Sequence, residues 1–87
     1  MSPRQVTTIF VVIIEDKHVE PYAELFDNAA AAIRWAEAHV KECEEHYRRT
    51  ADRTLLPSMV RAGWLYYAVI ESAIQIRVVS RCLHEEG

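Results

Sequence analysis

The run Val6–Glu15 (VTTIFVVIIE) constrains this chain more than any other segment. It is rich in β-branched residues and has no helical period, so it reads as a strand. Val6, Thr8, Phe10, Val12 and Ile14 fall on one face, and Thr7, Ile9, Val11 and Ile13 on the other. A strand that is apolar on both faces belongs in the middle of a sheet, with at least partial cover on each side. The chain has 87 residues, enough for one domain and too few for two. Its one long helical pattern can cover only one of those faces.

The remaining segments follow from their periods. Asp16-Lys17 supplies a turn. His18–Phe26 alternates, with Val19, Ala23 and Leu25 against Glu20, Tyr22 and Glu24. Pro21 has no N–H to give to a ladder, which puts this second strand at an edge or on a bulge. Asp27 or Asn28 is a good N-cap. The helix that follows is expected over about residues 28–49, with a core stripe of Ala29, Ile33, Ala36, Val40, Cys43 and Tyr47. Arg34, Glu37, Lys41, Glu44 and Glu45 then lie on its outer surface. Helical spacing would pair Glu37 with Lys41, Lys41 with Glu45, and Glu45 with Arg49. Thr50–Gly63 reads as a connector, with a helical turn at Leu55–Val60 that Pro57 suits. Trp64–Glu71 is the third strand, Ser72-Ala73 a tight turn, and Ile74–Leu83 the fourth strand; His84–Gly87 is expected to fray.

The fold expected is therefore α+β. A four-stranded antiparallel sheet, in the order strand, strand, helix, strand, strand, carries one long helix across one face in a single domain, residues 1–87. The second face then holds Ile9, Val11 and Ile13, together with Leu65, Tyr67 and Val69. A bare apolar face of several hundred Å2 marks an interface. Two readings are open: a second copy or a partner covers it, or the connector 50–62 folds over it.

Composition narrows the function classes. Half the residues are hydrophobic, which is a globular profile. The formal net charge is -3, which argues against a general nucleic-acid or anionic-membrane surface. Residues 1–47 hold nine acids and four bases, and residues 48–87 hold four acids and six bases. The two cysteines, Cys43 and Cys82, make no disulfide framework. Ile9–Ile14 is far shorter than the roughly 20 residues a bilayer span needs. No signal-peptide cleavage site follows it. The expected location is the cytoplasm.

No chemical motif stands out. There is no Gly-x-Ser-x-Gly elbow, no glycine-rich phosphate loop and no His-Glu-x-x-His. His39, Cys43 and His46 share a helix sector and are zinc-ligand types, but Cys43 falls in the core stripe, where a free cysteine is an inert packing residue. Cys82 and His84 share a strand face, which does not guarantee a contact that activates the thiol. No catalytic residue, cofactor or metal site is assigned, and the chain reads as a binding protein and not an enzyme.

The acidic residues form the more informative set. Glu15, Asp16, Glu20, Glu24 and Asp27 belong to the first hairpin and its exit, and Glu37, Glu42, Glu44 and Glu45 to the helix. Presented together they make a negative patch that can dock onto a basic groove built for nucleic acid. The plainer reading is solubilising charge.

Two stretches carry a resemblance. Thr8–His18 (TIFVVIIEDKH) resembles the opening strand and turn of small proteins encoded by bacterial phages and mobile elements, and Ala62–Tyr67 (AGWLYY) resembles the entry into their closing hairpin. Some small acidic proteins of this strand–strand–helix–strand–strand type are anti-CRISPR inhibitors. The turn Ser72-Ala73 departs from the acidic, glycine-containing turn expected there. The resemblance implies a DNA mimic in the cytoplasm of a bacterial host. It would inhibit a CRISPR–Cas effector complex by protein contact, blocking target DNA through Glu15, Asp16, Glu20, Glu24, Glu37, Glu44 and Glu45, with no nucleic acid or membrane bound directly. The other reading is a structural or regulatory homodimer built on the open sheet face.

Overall fold

The structure is a computed structural model that describes residues 6–71 and 73–84. It is α+β, as the periods require. Strands β1 (Val6–Asp16), β2 (Tyr22–Phe26), β3 (Trp64–Ile70) and β4 (Ile74–His84) form one antiparallel sheet. Helix α1 (Ala29–Tyr47) and the short helix α2 (Pro57–Arg61) lie between β2 and β3 in sequence. The strand order is β2-β1-β4-β3.

The two long strands lie at the centre. β1 pairs with β4 along its whole length, from Val6–His84 to Asp16–Ile74. The edge strands are shorter. β2 covers only Phe10–Ile14 of β1, and β3 covers only Ile74–Val79 of β4. Beyond them, Val6–Ile9 and Arg81–His84 continue as a two-stranded ribbon. β2 begins at Tyr22, later than the expected His18. The Asp16 carboxylate takes the His18 N–H at 2.9 Å, and this Asx turn followed by Pro21 keeps residues 17–21 off the ladder. At the other end His84 belongs to β4 and does not fray, because Val6 pairs with it. Ser72 and residues 85–87, which the expected turn and tail include, lie outside the described residues.

One core fills the space under α1. Val12 and Ile14 of β1 meet Val78 and Ile76 of β4 as register partners, and Ala68 and Ile70 of β3 extend the layer. Ala32, Ala36 and Val40 close it from the helix, all three fully buried. The helix stripe is therefore rotated from the expected one. Ala32 is in its centre, while Ala29 and Ile33 are only half-buried. Alanines at the contact let the helix axis approach the sheet closely, which is why no large side chain stands at those positions.

The helix ends are chemically distinct. Asn28 caps the start, its side-chain oxygen accepting the Ala31 N–H at 3.0 Å. At the other end Arg48 takes the left-handed conformation (φ 56°) and its N–H returns to the Glu44 carbonyl. That closure stops the helix at Tyr47, two residues short of the expected end.

The connector does not cover the second sheet face. Ala51 enters the main core. Asp52 pairs with Val69 on the outer edge of β3, exchanging both backbone hydrogen bonds at 2.8 and 2.9 Å. α2 then packs against β3 and no other described element. Residues 51–53 are tied to the edge of β3 and the flank of α1, and α2 reaches neither β1 nor β4, so the connector does not close the middle of the face.

Candidate functional site

Three surfaces stand out, the face of the sheet away from α1 and the two flanks of α1. The free face is built by the odd residues of β1 and β4. Ile9, Val11 and Ile13 run down β1, with Leu25 and Ala23 of β2 beside Val11 and Ile13. Val79 lies across from Val11 on β4, with Arg77 across from Ile13 and Arg81 across from Ile9. Trp64, Tyr67 and Val69 of β3 complete the surface. A β-bulge between Trp64 and Tyr66 turns Trp64 onto this face. Val79 is fully buried by its neighbours, while Leu25 is 66% exposed. The long helix α1 lies on the other side of the sheet, the short helix α2 touches β3 alone, and Ile9, Val11, Ile13, Trp64, Tyr67 and Val69 are half-buried.

Its charges are balanced locally. Arg77 donates to Glu15 at 2.7 Å, and its guanidinium sits 5.2 Å from the centre of the Trp64 ring. A cation held by both a carboxylate and an aromatic face adds little net field. Arg81 stands toward the ribbon end and is exposed. The middle of the face is thus apolar and close to neutral.

The β3 flank of α1 carries an ion network. Arg53 is a fork between two helix carboxylates. Its Nε and Nη2 donate to Glu37 at 2.9 and 2.6 Å, and its Nη1 and Nη2 donate to Glu44 at 2.9 and 3.0 Å. Tyr66 Oη donates to Glu37, and the Ala51 N–H to Glu44 at 2.8 Å. Arg53 and the Tyr66 hydroxyl hold the Glu37 carboxyl below its ordinary range. Arg53, with the Ala51 N–H, pushes Glu44 down to about 2. Burial, then the bond to Glu37, holds the Tyr66 hydroxyl well above its ordinary range.

This network changes the expected acidic surface. Glu37 and Glu44 were expected on the outer face, with Glu37 paired to Lys41; they turn inward to Arg53 instead. Arg49, the expected partner of Glu45, pairs with Glu71 at 3.1 Å. Glu15 is held by Arg77. Of the seven acids, Asp16, Glu20, Glu24 and Glu45 take no ion-pair partner among the described residues. The seven do not form one continuous patch, because Glu37 and Glu44 lie on the β3 flank and Asp16, Glu20 and Glu24 lie toward β2. The sequence offers Arg53 as one of four arginines, with Arg48, Arg49 and Arg61, flanking the connector, but nothing in its spacing ties it to the helix carboxylates.

The β2 flank is aromatic. Trp35 packs on Phe26, with ring centres 5.9 Å apart, and stacks on His39 at 5.6 Å. His39 meets the edge of Tyr22, and His46 packs on Tyr47. Beyond His39 a groove of about 450 Å3 opens between the helix and the first hairpin, lined in part by Ile14, Asp16, Tyr22, Glu42, Cys43 and Ile74. His39, Cys43 and His46 are not brought together as metal ligands; among the described residues no group of three or more ligand-type side chains is placed to hold an ion. Burial, with Asp16 and Glu42 nearby, pushes the Cys43 thiol up, the opposite of what a nucleophilic thiolate requires.

Fold and surfaces together define an α+β domain with a one-sided helix cover and an open antiparallel sheet. No described helix is long and apolar enough to cross a membrane. No family model, no curated protein and no solved structure matches the chain.

Proposed function

We propose that this chain is a binding domain that pairs with a second copy of itself through the open sheet face. The observation that carries the proposal is that face. It holds Ile9, Val11, Ile13, Leu25, Trp64, Tyr67 and Val69, with α1 on the opposite side and α2 in contact with β3 but not with the central strands β1 and β4.

Size and charge favour a second copy as the occupant. Four strands at about 4.8 Å spacing span about 19 Å, and with strands of about 30 Å the face offers on the order of 600 Å2. Standard interfaces bury about 800 Å2 per partner, so this one fits a small, reversible dimer. A two-fold pair sets each face against its own copy, and like charges at the centre would then repel. Here the central cation, Arg77, is already neutralised within the face by Glu15. Two such sheets would stack about 10 Å apart, with Trp64 and Tyr67 interleaving with the β1 row.

The test is mass in solution. The chain is expected to run as a concentration-dependent dimer, and Ile13→Glu to run as a folded monomer. A monomeric parent chain at high concentration, or an Ile13→Glu variant with unaltered mass, overturns the proposal.

Inhibition of a CRISPR–Cas effector complex is the second reading. It is supported by the resemblance of Thr8–His18 and Ala62–Tyr67 and by the unpaired acids Asp16, Glu20 and Glu24 around the first hairpin. Glu15, Glu37 and Glu44 contribute less to it, since each is paired within the fold. Loss of target-DNA binding by an effector complex at near-stoichiometric protein, relieved by Glu20→Lys with Glu24→Lys, is the expected result. DNA binding unaffected across effector types removes this reading.

A further inference from the structure

The two outer edges of the sheet differ. On the β3 side, Asp52 pairs with Val69 through both backbone hydrogen bonds and closes the edge. On the other side β2 is the last strand, and among the described elements it touches only β1 and α1.

The hydrogen-bond phase of the sheet identifies which β2 groups are free. Val69 turns its N–H and C=O outward to Asp52. These directions alternate along a strand, so Ala68 and Ile70 face β4, and their partners Ile76 and Ile74 face β3. Gln75 and Arg77 then face β1 and bond to Glu15 and Ile13. Two bonds outside the ladders agree with this phase: the Lys17 N–H reaches the Ala73 carbonyl at 2.9 Å, and the Ser80 N–H reaches the Gly63 carbonyl at 3.2 Å. Phe10, Val12 and Ile14 of β1 therefore face β2, bonding to Phe26, Glu24 and Tyr22. Ala23 and Leu25 point their N–H and C=O out of the edge, where no described backbone group bonds to them.

This edge lacks the devices that ordinarily block strand addition. It has no lysine, proline or bulge between Tyr22 and Phe26, and its register against β1 is regular. Tyr22, Ala23, Glu24 and Leu25 are all exposed. Glu24 stands at its middle, on the helix side of the sheet, with no ion-pair partner among the described residues. That charge makes a second copy a poor occupant. The self-pairing that uses every free group sets Ala23 against the copy's Leu25 and Glu24 directly against its own counterpart, and like charges opposite each other are destabilising. Shifting the pairing one way brings in Pro21, which has no N–H. Shifting it the other way brings in Asp27, where the chain turns into the Asn28 cap of α1.

We propose that β2 accepts an extended peptide segment as an added antiparallel strand, with a lysine or arginine opposite Glu24 and apolar residues opposite Ala23 and Leu25. Backbone bonds to Ala23 and Leu25 hold the segment, and alternate side chains select it. The cation meets the unpaired Glu24 carboxylate on one face. The apolar residues extend the Leu25 row, 66% exposed at Leu25 itself, on the other. The added strand lies in the plane of the sheet, so this inference does not rest on self-pairing through the face.

The probe is the capped peptide acetyl-Thr-Val-Lys-Val-Thr-amide, titrated into the labelled full chain. One comparator has glutamate in place of lysine. The other is the lysine peptide with both valines N-methylated, which keeps the side chains and removes the N–H groups that face Ala23 and Leu25. The expected result is saturable shifts centred on the Ala23 and Leu25 amides, with a dissociation constant on the order of 1 mM. The glutamate peptide should bind about fivefold more weakly and the N-methylated peptide not detectably. Glu24→Gln should weaken the lysine peptide about threefold. Ala23→Pro removes an outward N–H without touching the β1 ladder and should abolish binding, with slow exchange of the Glu24 amide showing that ladder intact. Absence of saturable shifts in the parent chain overturns the proposal, as does equal binding of either comparator. In Ile13→Glu without peptide, slowing of Ala23 and Leu25 amide exchange with rising protein concentration would put a second copy on this edge and overturn it too.

Discussion

Arg53 shows how much one side chain can organise. It draws Glu37 and Glu44, two helix positions a full seven residues apart, toward the connector, and so fixes both where residues 50–54 run and which acids remain at the surface. The fork is part-exposed, with a third of the Arg53 side chain open to solvent, so water screens it and a large contribution is ruled out. Arg53→Ala is expected to cost about 1–2 kcal/mol by chemical denaturation, the range for a charge-assisted network at a wet boundary. The pH dependence has a definite sign. Glu37 and Glu44 both have folded-state pKa values below the ordinary 4.5, with Glu44 near 2. The unfolded chain therefore binds protons first as pH falls, and the stabilisation present above about pH 4.5 is lost on descending toward pH 2. Denaturation midpoints measured across that window should fall less steeply for Arg53→Ala than for the parent chain.

At the level of elements, α1 is a helix with one good end and one compromised end. Asn28 satisfies an orphan N–H of the first turn, and Asn28→Ala should cost about 1 kcal/mol. Arg48 occupies the left-handed position that glycine fills without steric penalty. Arg48→Gly is expected to stabilise the chain by about 0.5 kcal/mol, and a melting experiment reading no change or a loss would show that the Arg48 side chain contributes elsewhere. The sequence places the start of this helix correctly, because Asn28 is a recognisable cap. It does not reveal the stop, because no glycine or proline stands there. β2 is misjudged for a related reason: alternation continues through residues 18–21, but a local Asx turn competes with the ladder and prevails.

For the whole molecule, the proposed self-pairing through the open sheet face carries a prediction of its own. In the self-pairing proposed above, folding and association are linked, so a dimer that forms only from folded chains should raise the melting temperature with concentration. A rise of about 2–5 °C per tenfold increase above the dissociation constant is expected for a domain of this size. In Ile13→Glu the melting temperature should be independent of concentration. A parent chain whose melting temperature ignores concentration would sink the self-pairing proposal as surely as a monomeric mass.

Local patterning determined the parts that depend on neighbours in sequence. The apolar run of β1, the alternation of β4 and the alanine-rich period of α1 fixed element types, fold class and the central place of β1. They also showed that one face would lack a helix. What only the tertiary structure decided is where the long-range partners meet. The order β2-β1-β4-β3 brings the two terminal strands together over eleven residue pairs, and no periodicity records that choice. The capture of Glu37 and Glu44 by Arg53 and the neutralisation of Glu15 by Arg77 are decided in the same way. A carboxylate's surroundings depend on which distant cation the fold delivers to it, and a sequence gives its charge without giving its company.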